Sequence, residues 1–275
     1  MGLRLDRRPY AEIADGLAGL HARQVRMGRR YLPNFIIIGA AKSATTTLAA
    51  VLSSHADIFI SRPKEPKFFG RHYIKGWPWY RGLFRAGSGF AWRGEASTMY
   101  ASPLREFRDA PGLMHRYFPG MKIVYVVRHP LDRLVSQWRH VKGRSPDYVA
   151  FERILSDRRA ARLLIGCSSY YERINAYRRY FPDQQIHCLT FEDLIADPAA
   201  VLGELLVFLG LPPQTHSILE AGELPKLNKV GQKGRAHVSE PDWPGPMRAS
   251  VIQRLRPDAE AFLSYIGKPK DYWTW

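Results

Sequence analysis

Residues 34–55 read NFIIIGAAKSATTTLAAVLSSH and carry the strongest fold signal in the chain. A continuous apolar run of strand length ends at Gly39, and TTTLAAVL after it has helical spacing. The pattern predicts a buried strand, a tight turn and a helix. The first N–H groups of such a helix are unpaired and, together with the helix dipole, form a site for anions. Lys42 adds positive charge at the turn, and hydroxyl donors surround it: Ser43, Thr45, Thr46 and Thr47.

This loop differs from the phosphate loop of ATPases and many kinases. The motif G-x-x-x-x-G-K-[ST] would require glycine at Ala41 and at Ile36. A nucleoside or sugar kinase with a degenerate phosphate loop is therefore only an alternative, and it predicts dependence on Mg²⁺ and ATP. A further alternative is a threonine-rich helix cap with Lys42 at the surface.

A second predicted strand ends in an arginine. KIVYVV (122–127) has the pattern of a buried strand, Arg128 follows it, and the next helix carries Arg133 and Ser136 on one face. In an open α/β sheet the carboxyl ends of the strands border one crevice, so Arg128 and Lys42 are expected to face the same ligand. A guanidinium binds phosphate through two charge-assisted hydrogen bonds. The alternative for Arg128 is an ion pair that closes the sheet edge.

Strands alternate with helical patterns along the chain, which predicts an α/β fold with a central parallel sheet and helices on both faces. The further strand candidates are DIFIS, RGEAS and QIHCLTF. No linker divides the pattern, so we expect a single domain over residues 1–275, with a helical extension at 1–32 and the core at 33–275. A long basic loop precedes the last helix, which is predicted from about Met247 to Ile266.

The composition is that of a globular protein with an excess of positive charge. Lys and Arg number 41 against 25 Asp and Glu, so the formal net charge is +16 and anionic ligands are favoured. The alternative use of this charge is a nucleic-acid-binding module. Two cysteines are too few for a disulfide framework or a zinc site. The N-terminus lacks a secretory apolar segment and no run approaches the ~20 apolar residues of a membrane span, so a cytoplasmic protein is expected.

The motifs in this order resemble those of the sulfotransferases that use PAPS, 3′-phosphoadenosine 5′-phosphosulfate. GAAKSATTTL (39–48) is similar to the 5′-phosphosulfate loop of that family, and VVRHPLDRLVSQW (126–138) to its 3′-phosphate segment. KGRAHV (233–238) and the aromatic stretch YIGKPKDYWTW are similar to the heparan sulfate 3-O- and N-sulfotransferase branch and its soluble bacterial relatives. In that branch a K-G-R-x-H loop closes over the nucleotide.

The resemblance implies a P-loop-like sulfotransferase fold, PAPS as the co-substrate, PAP as the product and no metal. It implies an enzyme that transfers a sulfuryl group to a hydroxyl, or to an amine, of a small-molecule, glycan or natural-product acceptor. Neither a membrane nor a nucleic acid is expected as a partner, and the oligomeric state is open. The branch usually carries a disulfide hairpin before the loop, whereas LNKVGQKGRAH (227–237) has no cysteine, which fits a soluble relative from a reducing compartment.

The resemblance also assigns residues to the two ends of the donor. The residues expected to hold the 5′-phosphosulfate are Lys42, Ser43, Ala44, Thr45, Thr46 and Thr47. The residues expected at the 3′-phosphate are Arg128, Ser136, Lys233, Gly234 and Arg235.

Catalytic roles follow from the same resemblance. GEASTMY (94–100) is similar to the E-K-[ST]-P-x-Y segment of the glycan branch, which makes Glu95 the expected general base for the acceptor hydroxyl. Lys42 is expected to balance the charge that develops as PAP leaves. The alternative for Glu95 is an ion pair with Lys42 or Arg128. Lys64, in a segment like K-E-P-x-F-F of bacterial relatives, and His72, among aromatic residues, are expected near the acceptor.

Overall fold

A computed structural model describes residues 29–219, 222–225 and 237–275. The strands are β1 Phe35–Gly39, β2 Ile58–Ile60, β3 Trp92–Glu95, β4 Lys122–Val127 and β5 Ile186–Thr190. The α-helices are α1 Thr45–Leu52, α2 Gly76–Gly82, α3 Ala110–Tyr117, α4 Pro130–Lys142, α5 Arg158–Leu164, α6 Tyr170–Arg178, α7 Phe191–Ala196, α8 Pro198–Phe208 and α9 Gly245–Tyr265. The predicted N-terminal extension, up to residue 28, lies outside the described residues.

The five strands form one parallel sheet in the order β2-β3-β1-β4-β5. The predicted parallel sheet is confirmed. The chain leaves β1 toward β2 on one side of the sheet, and it leaves β4 toward β5 on the other side. The order therefore changes direction between β1 and β4, and open α/β sheets bind ligands at the carboxyl ends of strands at such a point.

Helices cover both faces of the sheet, as predicted, because alternate side chains of each strand point to opposite faces. Ile36 and Ile38 of β1 pack with residues of α3, α6 and α9. Phe35 and Ile37 pack on the other face with residues of α1, α7 and α8. Burial on both faces explains why β1 is a continuous apolar run and shows no alternation. Each of these side chains contributes roughly 1.5–3 kcal/mol on full burial.

The last helix, α9, begins at Gly245 and ends at Tyr265, close to the predicted bounds. Its first half packs against α4 and α5 through Met247, Val251 and Leu255. Its second half packs on the sheet through Ala259 and Phe262. Among the helices of the described ranges, none combines the length and apolar character needed to cross a membrane.

Candidate active site at the carboxyl edge of the sheet

The loop after β1 turns so that α1 begins at the carboxyl edge of the sheet. Lys42 and Ala44 have φ values of 75° and 59°, in the left-handed region. For residues with a Cβ this conformation costs about 1–3 kcal/mol and persists where the surrounding structure fixes it, often at functional sites. Ala44 is the N-cap of α1 and makes no side-chain hydrogen bond. Its carbonyl accepts the first hydrogen bond of the helix, from the Leu48 N–H. The first-turn N–H groups of α1 are thus available to an anion.

The hydroxyl residues of this loop differ in burial. Ser43 is fully buried, and its Oγ has no hydrogen-bond partner within the described chain. Thr45 is also buried, whereas Thr46 and Thr47 are half-buried. A buried hydroxyl without a partner is costly, so the Ser43 position favours a ligand oxygen close to the loop.

Lys42 and Arg128 lie at the same edge of neighbouring strands. β1 pairs with β4, and the Ala40 N–H donates to the Val126 carbonyl at 2.5 Å. Lys42 lies in the turn two residues after Ala40, and Arg128 lies two residues after Val126, just beyond the end of β4. Adjacent strands are about 4.8 Å apart, so the two residues follow neighbouring strand ends at the same edge of the sheet.

Arg128 has few strong partners. Its Nη2 lies 3.4 Å from Asp132 Oδ2, and its guanidinium lies over the Phe191 ring, 4.8 Å from the centroid. The Asp132 side chain is 57% exposed, and an exposed ion pair contributes little. The Arg128 Nε is buried and has no partner in the described chain. Ser136 lies one turn beyond Asp132 on the same face of α4 and is half-buried.

Arg133, predicted on the same helix face as Ser136, points into the protein. It is fully buried, and its Nε donates to Ser168 Oγ at 2.7 Å. Its two Nη groups donate to the Leu164 carbonyl at 2.6 Å and the Ala41 carbonyl at 3.4 Å. Arg133 therefore ties α4 and α5 to the loop that carries Lys42. It is a positioning residue, and its helical spacing alone did not distinguish this role from ligand binding.

Residues near 272–275 cover the carboxyl ends of β4 and β5. The Tyr272 hydroxyl is 2.8 Å from both Thr190 Oγ1 and Asp193 Oδ1. His129 Nε2 lies 2.7 Å from the Thr274 carbonyl, and its ring lies near that of Trp275. The residue that follows Arg128 is thereby held by this aromatic segment. The sequence drew attention to this aromatic stretch, but it did not predict the contacts with His129, Thr190 and Asp193.

Glu95 ends β3 in a closed, polar environment. It is fully buried and accepts hydrogen bonds from the hydroxyls of Tyr80 at 2.6 Å, Tyr100 at 3.0 Å and Ser97 at 2.5 Å. Burial raises the pKa of the carboxyl to about 7, although the three hydrogen bonds oppose the rise. These three hydroxyls account for the hydrogen bonds described at the carboxylate.

Lys64 and His72 belong to the loop beside Glu95. Lys64 Nζ donates to the Ala96 carbonyl and to Glu65 Oε1, both at 3.2 Å. Burial lowers the pKa of Lys64, and the Glu65 carboxylate opposes that shift. His72 Nδ1 lies 2.7 Å from the Pro66 carbonyl, so the ring braces the turn after Lys64. Lys64 thus contacts the residue that follows Glu95. His72 contacts Pro66, two residues after Lys64, and has no described contact with Glu95 itself.

Three residues predicted at the 3′-phosphate lie outside the described residues: Lys233, Gly234 and Arg235. The chain resumes beside α4, because Arg139 Nε donates to the Val238 carbonyl at 2.9 Å. Within residues 29–219, 222–225 and 237–275, no group of three His, Cys, Asp or Glu side chains is placed to hold a metal ion.

Comparison with known proteins gives consistent matches. A family model described as the sulfotransferase domain matches residues 32–230. Human heparan sulfate glucosamine 3-O-sulfotransferase 3A1 is 32% identical over 206 residues, which are 72% of this chain and 49% of that protein. Mouse heparan sulfate glucosamine 3-O-sulfotransferase 6 is 28% identical over 265 residues, 88% of this chain and 74% of that protein. The chain spans about half the length of the 3A1 and 3B1 relatives it matches.

The crystal structure of a sulfotransferase from Alicyclobacillus acidocaldarius has the same fold. It superimposes with a TM-score of 0.69 at 22% identity, over 86% of this chain and 96% of that one.

Proposed function

Because the chain belongs to the sulfotransferase domain family, we propose that it is a PAPS-dependent sulfotransferase. Its substrate would be a hydroxyl, or with less support an amine, of a carbohydrate or natural product. The observation that carries the proposal is the crevice itself. Lys42 and Arg128 border it from neighbouring strands, and a buried carboxylate, Glu95, ends the strand on the other side of β1.

The donor set of the crevice fits a nucleotide with anionic groups at both ends. Around β1 the donors are Lys42, the open first turn of α1 and the unpartnered Ser43 hydroxyl. Beyond β4 they are the unpartnered Arg128 Nε and Ser136. Lys233, Gly234 and Arg235 would complete the 3′-phosphate end, and the Arg139 contact with Val238 supports a loop that returns beside α4.

PAPS would supply a sulfuryl group that moves in line from its bridging phosphate oxygen to the acceptor oxygen. Glu95 would take the proton of the attacking hydroxyl, and a base with a pKa of about 7 is well matched to neutral pH. Lys42 would balance the negative charge left on the phosphate oxygen, as fixed cations do in related group transfers. Lys64, beside Glu95, would contact the sulfuryl group or the acceptor.

Two other functions remain as alternatives with less support. A kinase would require a phosphate loop that residues 36–42 do not match. A nucleic-acid-binding module would use the +16 charge, but the sequence matches favour a sulfotransferase. Calorimetry with PAP, ATP and a generic oligonucleotide separates the three functions.

The donor site is tested by the double variant Arg128→Ala with Ser136→Ala. We expect its affinity for PAP to fall at least tenfold, because two phosphate donors are lost. Arg179→Ala, which removes an exposed arginine from the end of α6, is the matched control and should bind PAP normally. Unchanged PAP binding in the double variant would exclude this site, and transfer from labelled PAPS that stops on addition of EDTA would argue for a metal-dependent reaction.

A further inference from the structure

A groove of about 690 Å³ runs along the outer edge of the sheet, beside β2. One wall is the outer face of α1, from Thr46 to Ser53, which spans about 10 Å. The opposite wall is the segment from Gly82 to Phe90. The volume lies within the range of small-molecule pockets in proteins, about 300–1,000 Å³.

The groove is polar at one end and mainly apolar along the rest of its length. At the carboxyl edge of the sheet its lining includes Thr46 and Lys64. Below that edge most of the lining is apolar and is provided by small helix residues, such as Ala50, and by larger side chains, such as Phe59 and Phe90, whereas Ser53 lies at the far end. The cations Arg62 and Arg85 are exposed and lie on its rim.

The polar end of the groove belongs to the candidate active site. Thr46 is in the first turn of α1, which faces the proposed donor, and Lys64 donates to the Ala96 carbonyl beside Glu95. The strands run toward this edge and α1 runs away from it, so the groove descends from the site along the side of the sheet. Glu95 itself is fully buried and does not line the groove, so Lys64 is the residue beside the carboxylate that the groove reaches. A molecule whose hydroxyl lies at Lys64 can therefore continue into the apolar part.

From this polarity we infer that the groove binds the apolar part of the acceptor. The acceptor is then an alcohol joined to an alkyl or aryl body, such as an alkyl glycoside, with its reactive hydroxyl at the Lys64 end of the groove. This inference rests on the proposed function.

Alkyl glucosides of different chain length test the inference by calorimetry in the presence of PAP. We expect octyl β-D-glucoside to bind at least ten times more tightly than methyl β-D-glucoside, because its chain is removed from water in the groove. Ala50→Phe, which places a large side chain on the α1 wall, should remove most of this difference while PAP affinity is unchanged. Ala199→Phe, at an exposed position of α8, is the matched control and should retain it.

A second variant, Ala86→Phe on the opposite wall, repeats the test should the α1 substitution destabilise the protein. Equal affinity for both glucosides in the wild type would overturn the inference. An octyl advantage that survives both groove substitutions would also overturn it, because the chain would then bind elsewhere. If the wild type does not bind PAP at all, the proposed function is rejected. Failure of the proposed function is therefore distinguishable from failure of the groove inference.

Discussion

The two sides of the crevice are built in opposite ways. On the β1 and β4 side, donors are only partly satisfied: Arg128 Nε and Ser43 Oγ have no partner in the described chain, and α1 begins without a side-chain cap. On the β3 side, Glu95 is fully buried and is held by three hydroxyl groups. The first side is thus arranged to receive an anion, whereas the second is already complete within the protein.

This difference suggests a division of roles, in which the β1 and β4 side binds the anionic ligand and the β3 side carries the base for the reaction. A cationic side with unused donors gains its hydrogen bonds when a ligand arrives. A buried carboxylate with fixed hydroxyl donors is instead preorganised, and its pKa is set before any ligand binds. Variants on the two sides should therefore affect different steps.

The largest expected effect is on turnover in Glu95→Gln. Removing a general base typically lowers the rate 10²–10⁴-fold, and PAP affinity should not change because Glu95 is on the other side of the crevice. In the wild type, kcat/KM should rise with pH to an inflection near 7, since the deprotonated carboxylate is the active form. Steady-state kinetics over pH 5–9 and PAP calorimetry measure both quantities.

The control for this variant is Glu65→Gln, which changes a neighbouring carboxylate that pairs with Lys64 and Lys67. Its pH profile should keep an inflection, displaced to lower pH because, besides burial, the Glu65 charge helps to raise the pKa of Glu95. Near-normal turnover of Glu95→Gln would show that Glu95 is not the base. The two sides would then differ in structure but not in the step of the reaction that they serve.

A smaller effect is expected on stability. Burial raises the pKa of Glu95 from its ordinary value of 4.5 to about 7, so the folded state binds its proton more tightly than the unfolded state does. The resulting stabilisation is complete below about pH 4.5 and is lost as pH rises through 7. Relative to Glu95→Gln, the wild type should lose up to about 3 kcal/mol of unfolding free energy between these pH values.

Urea denaturation at pH 4.5 and pH 8 measures this difference. Glu204→Gln, at an exposed position of α8, should follow the wild type at both pH values. Parallel pH dependence of Glu95→Gln and the wild type would show that Glu95 titrates in its ordinary range, contrary to a closed carboxylate site.

The smallest expected effect concerns the aromatic segment over β4 and β5. Tyr272→Phe removes hydrogen bonds to Thr190 and Asp193 and should loosen the segment that holds His129 next to Arg128. A lost hydrogen bond is worth about 1 kcal/mol, so PAP affinity should fall about fivefold with turnover at saturation preserved.

Tyr265→Phe is the matched control, because Tyr265 is the last residue of α9 and its hydroxyl donates to Asp183, just before the start of β5 and away from the carboxyl edge of the sheet. PAP affinity equal to that of the wild type in Tyr272→Phe would show that Arg128 is positioned without help from the segment.

Local sequence patterns were sufficient for the fold and for the edge of the sheet at which Lys42 and Arg128 lie. FIIIG and KIVYVV are apolar throughout because both faces of their strands are buried, and parallel pairing at the carboxyl ends then brings Lys42 and Arg128 to one edge. Glu95 was located by its position in GEASTMY. The placement of Lys42 and Arg128 depends on order along the chain and on the regular geometry of strands and helices, whereas the assignment of Glu95 depends on the resemblance of GEASTMY to a family segment.

Contacts between distant segments were decided only by the tertiary structure. Arg133 and Ser136 are three residues apart on one helix, yet packing against Ser168 and Leu164 buries Arg133. Tyr80 reaches Glu95 across 15 residues of sequence, and this burial, which periodicity does not encode, sets the pKa of the carboxyl. The groove beside β2 also exists only once α1 and residues 82–90 are packed. The sequence by itself determined which groups meet at the sheet edge, because local geometry is periodic, whereas burial and pairing depend on the whole packed chain.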